Sequence, residues 1–220
     1  MATCCALHQG NLFPFLRQAA FGQPGTTWGS YLVSIVLGVS LPVIVVHTIA
    51  ATVVWGGCGR RLKPSRAFKV PTLAGAARAA GEELGWRSWM TPLLLQRFSP
   101  LHTVLISGTV WALYHVPVMI LQSHHLRAGD AILTPTFQAL SCLAGTSLIT
   151  WVGVVGGFNV FGATAFHAVW NAVNVDVLGS VYTQDPGDIG GKQWLINGEG
   201  LAGMLVECGV GALLLWTGLL

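Results

Sequence analysis

Long uncharged apolar runs alternate with short polar intervals along most of the chain. Positions 31–55 carry no charge, and their length is enough to cross a hydrocarbon core of roughly 30 Å with some tilt. Pro42 lies inside this run as a potential kink, and Trp55 stands where an interfacial aromatic belongs. Positions 101–122 predict a second span, with Pro117 near one end, and 131–157 a third. The third is rich in Gly, Ala, Ser and Thr, the residues that let membrane helices approach closely. Apolar segments at 158–180 and 201–220 complete the series.

The intervals differ in kind. Positions 1–30 are mixed, with Asn11, Pro14, Arg17, Gln18, Gln23 and Pro24 breaking short apolar runs. They lack the basic start, apolar centre and small-residue cleavage site of a secretory signal, and predict an interfacial segment or part of a longer N-terminal region. Positions 123–130 are a short polar loop in which His124 and His125 are loop residues. Positions 181–200 are a longer polar loop, with Asp185-Pro186-Gly187-Asp188 as turn chemistry. The ambiguous piece is 71–96. Its Ala-rich start favours helix and Pro71 suits a first turn, yet it carries Arg78, Glu82, Glu83 and Arg87. The expected fold is all-α, a polytopic transmembrane helical bundle. Its active site would lie in an intramembrane cavity, with 1–30 as an N-terminal segment and 31–220 as the membrane-embedded domain.

Composition sharpens this picture. Apolar residues make up 53% of the chain and charged ones only 9%, against roughly 25% charged in a typical soluble domain. With a mean hydropathy of +0.63, the chain reads as an integral, multi-pass membrane protein. A net charge of +3 gives no footprint for nucleic acid. Arg60, Arg61, Lys63, Arg66 and Lys69 cluster without an acid at 56–70. That marks a cytoplasmic loop by the positive-inside rule, with a lipid-head-group patch as the alternative. The five cysteines form no CxxC or disulfide framework. Cys142 and Cys208 read as small packing residues, and Cys58, beside the basic loop, is a palmitoylation candidate. His47, alone in its span, reads as a satisfied packing histidine.

In so apolar a chain each ionisable group in a helix needs a reason, and three segments gather them. Glu83 and Arg87 stand i,i+4 with the acid first, the favourable order for an intrahelical pair. Glu82 lies about 100° around the helix, so Arg87 can hold one carboxylate while the other faces a cavity. Trp111 and His115 are also i,i+4, which lets the indole fix the imidazole. His167, Asn171 and Asn174 form an i, i+4, i+7 stripe on one helix face. These groups suit amide hydrolysis. A carboxylate in low-dielectric surroundings is well placed to take a proton from water, and a histidine from a neighbouring helix can hold the same water. A second histidine and an amide can donate to the tetrahedral oxyanion. The assigned roles are Glu82 as base, His115 as co-orienter of the water, and His167 with Asn171 as oxyanion donors. Glu83 and Arg87 are electrostatic support. Glu82, His115 and His167 could instead hold Zn2+ with an open position, although the HExxH helix signature is absent. Glu207, in mid-span outside these segments, either faces the cavity or pairs with a basic group, and reads most simply as a carboxyl carried neutral by burial.

Glu82-Glu83-x-x-x-Arg87, Trp111-x-x-x-His115 and His167-x-x-x-Asn171 resemble, in order and placement, the EExxxR, FxxxH and HxxxN/D motifs of one family. This is the CAAX protease and bacteriocin-processing family (CPBP, or Abi) of intramembrane proteases. The resemblance covers about 80–175, with Trp111 where phenylalanine is usual. It implies an all-α intramembrane endopeptidase akin to the type II CAAX prenyl endopeptidases, which remove the last three residues after a prenylated cysteine. The family's glutamate acts as the base, and a metal has been argued for and against. A peptide or prenylated protein would then be the substrate and membrane lipid the surroundings. The site would be the endoplasmic reticulum in a eukaryote or the plasma membrane in a bacterium. Alternatives of other classes are a non-catalytic scaffold or immunity-type protein binding a peptide or partner, and a proton-linked carrier. The carrier would string these groups along the membrane normal and include Glu207.

Overall fold

A computed structural model of the chain describes residues 12–62, 71–125 and 132–220. Cys4 and Cys5, the greater part of the basic loop (63–70) and the polar loop at 126–131 lie outside the described residues. The architecture is all-α. Its elements are α1 (Leu12–Phe21), α2 (Trp28–Trp55), β1 (Arg60–Arg61) and α3 (Leu73–Glu83), a π-helical segment (Leu84–Met90), and α4 (Thr91–Leu95). There follow α5 (Pro100–His125), α6 (Leu133–Val155), α7 (Val160–Val177), β2 (Ile189–Gly190), α8 (Gln193–Ile196) and α9 (Leu201–Trp216).

Four helical stretches are long and apolar enough to cross a membrane: Trp28–Trp55, Pro100–Gln122, Leu133–Val155 and Gln193–Trp216. The protein is an integral membrane protein. The apolar segment at 158–180 forms α7 but does not join that group, because His167, Asn171, Asn174 and Asp176 lower its apolar content. Instead α7 is packed in the interior, with Ala163, Phe166, Trp170 and Val173 buried against Val46, Ile49 and Val53 of α2 and Leu148 and Val152 of α6.

Small residues set the α2–α7 spacing. A Cβ at Gly38 would stand 2.3 Å from the Gly162 carbonyl oxygen, and one at Gly162 would stand 2.8 Å from Ser34 Oγ. Side chains there would push the two backbones apart, the same constraint that enriches small residues at membrane helix interfaces. The direction of α7 is fixed at its start. Asn159 caps it, its Oδ1 accepting from Phe161 N and Gly162 N, while its Nδ2 donates to Ser34 Oγ of α2. Gly157, at φ +60°, turns the chain there, and a Cβ would meet Thr26 Oγ1 at 1.9 Å.

Two expected loops are more ordered than their polarity suggested. The helix at 101–122 continues through His125, so the start of the expected loop at 123–130 is helical. The polar interval 181–200 is a built cap. Arg60–Arg61 pairs antiparallel with Ile189–Gly190, and Asn197 is buried and fully bonded. Its Nδ2 donates to Gly179 O and Gln193 Oε1, and its Oδ1 accepts from Asn174 Nδ2 and Glu199 N. Polar residues sit there because buried backbone groups of an irregular segment require partners. At the other end, α1 docks through Gln18, whose Nε2 donates to Ser88 O across 2.9 Å.

Candidate active site

The site begins where α3 changes into the π-helical segment. A π turn carries i→i+5 hydrogen bonds and is often found at functional positions. Here the junction lies between the paired carboxylates and their arginine. Glu83 is wholly buried, and its Oε1 accepts from Arg87 Nη1 at 3.2 Å. The same oxygen accepts from His167 Nδ1 of α7 at 2.8 Å. The guanidinium of Arg87 lies over the Trp111 ring of α5, 4.3 Å from its centroid. A cation–π contact of this kind is worth about 2 kcal/mol when desolvated. One buried acid thus joins the π-helical segment to α7, and one buried base joins it to α5.

Glu82 points the other way, into a cavity of about 270 Å³. Its Oε2 accepts from Trp111 Nε1 at 3.3 Å and stands 3.8 Å from His115 Nε2. That last separation is beyond a direct hydrogen bond, and it is the span across which two acceptors can share one water. The His115 ring is oriented from behind. Its Nδ1 donates to the Trp111 carbonyl at 2.9 Å, so in the neutral ring Nε2 carries the lone pair toward Glu82. Trp111 and Tyr114 stand edge-on to the imidazole at 5.6 and 5.1 Å between centroids. Trp111 also meets His167 edge-on at 5.9 Å, so this one indole touches Glu82, Arg87, His115 and His167.

Glu82, Trp111, His115, His167 and Asn171 all line the cavity. Asn174, on the same face of α7, lines it too, but its amide is consumed by the cap: Oδ1 accepts from Gly198 N and Nδ2 donates to Asn197. The stripe on α7 therefore divides into a cavity-facing pair and a clamp. Glu207 faces this same cavity. It is buried, accepts from Ser141 Oγ at 3.2 Å, and fits against Gly145, where a Cβ would come within 3.3 Å of its carboxylate.

Glu199, Gln138 and Tyr182 also line the cavity, and sequence reasoning missed them. Gln138 Nε2 donates to Glu199 Oε2 at 2.9 Å and to Tyr182 Oη. Burial, together with the Glu199 carboxyl, pushes the Tyr182 hydroxyl's pKa up. The available signal was Glu199 itself, one of only eight acids in the chain, at the edge of an apolar span.

The donor chemistry of Glu82, His115 and His167 suits zinc, but their arrangement does not. Among the described residues, no three His, Cys, Asp or Glu side chains stand close enough together to hold a metal ion. His115 faces Glu82, whereas His167 is bonded to Glu83 and Arg87 stands beside that pair. These residues do not fit a zinc site.

Among curated proteins, the chain is similar to the CAAX prenyl protease 2 of Methanococcus maripaludis, with 27% identity over 153 residues. The alignment takes in 66% of this chain and 55% of that relative, so the chain spans little more than half the relative's length. No solved structure matches the chain. Residues 65–173 match the family described as Type II CAAX prenyl endopeptidase Rce1-like. That match takes in Glu82, Glu83, Arg87, Trp111, His115, His167 and Asn171 together, so it is the part of the chain carrying all of these residues that is similar to the Type II CAAX prenyl endopeptidase Rce1-like family.

Proposed function

We propose that this protein is an intramembrane endopeptidase that cleaves a peptide bond near the membrane surface, with a prenylated CAAX-type protein or peptide as its substrate. The observation that carries the reading is the pairing of Glu82 with His115, Oε2 to Nε2 at 3.8 Å, in the wall of a cavity among the helices. A water between them donates one hydrogen to each acceptor, which turns its lone pairs toward the substrate. Glu82 takes a proton as the water oxygen bonds to the scissile carbonyl carbon. The indole N–H of Trp111 holds the Glu82 carboxylate in place for this step.

Negative charge then develops on the carbonyl oxygen. Asn171 supplies an amide N–H, and the protonated ring of His167 supplies Nε2–H while its Nδ1–H stays on Glu83. Loss of one such donor typically costs about 10² to 10³ in rate. The tetrahedral intermediate collapses by breaking the C–N bond, and the protonated Glu82 returns its proton to the leaving amine. The match of residues 65–173 to the Rce1-like family and the name of the Methanococcus relative support the CAAX-type substrate.

The test is incubation of the detergent-purified chain with a farnesylated CAAX peptide, with the released tripeptide read by mass spectrometry. The proposal predicts release of the tripeptide, slowed at least about 100-fold in Asn171→Ala. An intact peptide after incubation, with a panel of unprenylated peptides also intact, would contradict it and favour a peptide-binding scaffold.

A further inference from the structure

The reaction above uses part of the cavity lining and leaves the rest unexplained. The unused lining includes Gln138 and Ser141 of α6, Tyr182 and Glu199 of the cap, and Glu207 of α9. Two carboxyl groups buried in so apolar a molecule are costly, and no Lys or Arg is among the cavity's described lining residues. Holding the cap in place does not require them. Asn174 and Asn197 already tie down the turn at 197–198 through their own amides.

The hydrogen bonding here is unbalanced toward acceptors. Gln138 gives both its side-chain hydrogen bonds through Nε2, to Glu199 and Tyr182, and its Oε1 is left without a donor in a residue only 4% exposed. Ser141 Oγ has one hydrogen to divide between Gly198 O at 2.9 Å and Glu207 Oε2 at 3.2 Å. A buried acceptor without a donor costs free energy until a ligand supplies one. No three His, Cys, Asp or Glu side chains among the described residues could hold a metal ion, so the matching group is an organic cation with several N–H donors.

We propose that Glu199, Glu207 and the orphaned Gln138 Oε1 form a subsite for a lysine or arginine side chain of the peptide substrate, in the same cavity as the Glu82–His115 pair. This assignment rests on the endopeptidase reading for its peptide, but not for its charge preference. The ammonium or guanidinium would donate to both carboxylates and to Gln138, while its aliphatic stem lies along the apolar cavity wall. A peptide seated this way is held at two points, which fixes which of its bonds reaches Glu82.

The test uses fluorophore-labelled farnesylated peptides that are identical except for one residue, lysine or norleucine, placed in turn at each position near the scissile bond other than the farnesylated cysteine. Binding to the detergent-purified full chain is read by anisotropy, and cleavage is read separately. At one position the lysine peptide is expected to bind about tenfold more tightly than the norleucine peptide, the scale of a charge-assisted hydrogen bond. Glu199→Gln and Glu207→Gln should each erase that difference and leave norleucine-peptide binding unchanged, which a merely structural role would not do. Equal binding of both peptides at every position, or a preference that survives both substitutions, overturns the subsite. Lysine-preferring binding without cleavage would uphold the subsite and overturn the endopeptidase reading instead.

Discussion

Trp111 carries more of this site than its spacing announced. The i,i+4 relation to His115 foretold an indole against an imidazole, and on that basis phenylalanine would do as well. The structure adds a hydrogen bond to Glu82 and a face laid over Arg87. Trp111→Phe keeps a ring in place but removes the N–H, worth about 1 kcal/mol. It should lower kcat about fivefold with little change in apparent Tm; an unchanged kcat would mean that the indole only packs. Arg87 is the opposite case. It is 2% exposed and pairs with a wholly buried acid, so Arg87→Met leaves the Glu83 carboxylate with His167 alone and should destabilise the protein by about 3 kcal/mol. Adding Glu83→Gln removes the under-compensated charge and should restore most of the loss in a thermal-unfolding comparison. A single variant as stable as wild type would refute this account of the pair. These pairs were legible in sequence because each lies within one helix. Glu83 with His167, and Gln138 with Glu199, were not, since nothing local records which helices meet.

At the scale of the elements, the sequence foretold the helices within a few residues and misjudged what joins them. The uncharged runs 31–55 and 131–157 became α2 and α6 with shifted ends, because apolar length leaves little else for a chain in lipid to do. The interval 181–200 read as loop because its residues are polar, yet they are polar in order to bond one another inside a cap. The π-helical segment was not foreseen from the sequence. The α2–α7 contact is where an element can be tested alone. Gly38→Ala places a methyl against the Gly162 carbonyl and should destabilise the protein by about 1–3 kcal/mol. Gly209→Ala in α9, where a Cβ meets nothing within 4 Å, should be neutral or stabilise by up to about 1 kcal/mol. Equal effects of the two on apparent Tm would contradict the close approach of α2 and α7.

Across the whole molecule, the helices and the cap line a cavity that holds both a carboxylate–imidazole pair and an acceptor-rich cluster. Class and membrane habit followed from composition, and the site's first members from three short motifs. The acceptor-rich cluster needed the fold, because its residues come from α6, the cap and α9, far apart in sequence. The central claim is that Glu82, without a metal, activates the water that breaks the peptide bond. Its most direct measurement is single-turnover cleavage of a farnesylated CAAX peptide by wild type, Glu82→Gln and Cys142→Ala, each with and without a strong chelator. Cys142 is included because its thiol also lines the cavity. The account predicts a fall of at least about 100-fold in Glu82→Gln, no change in Cys142→Ala, and rates indifferent to chelator. Full activity in Glu82→Gln, or activity abolished by chelator and restored by zinc, would contradict it.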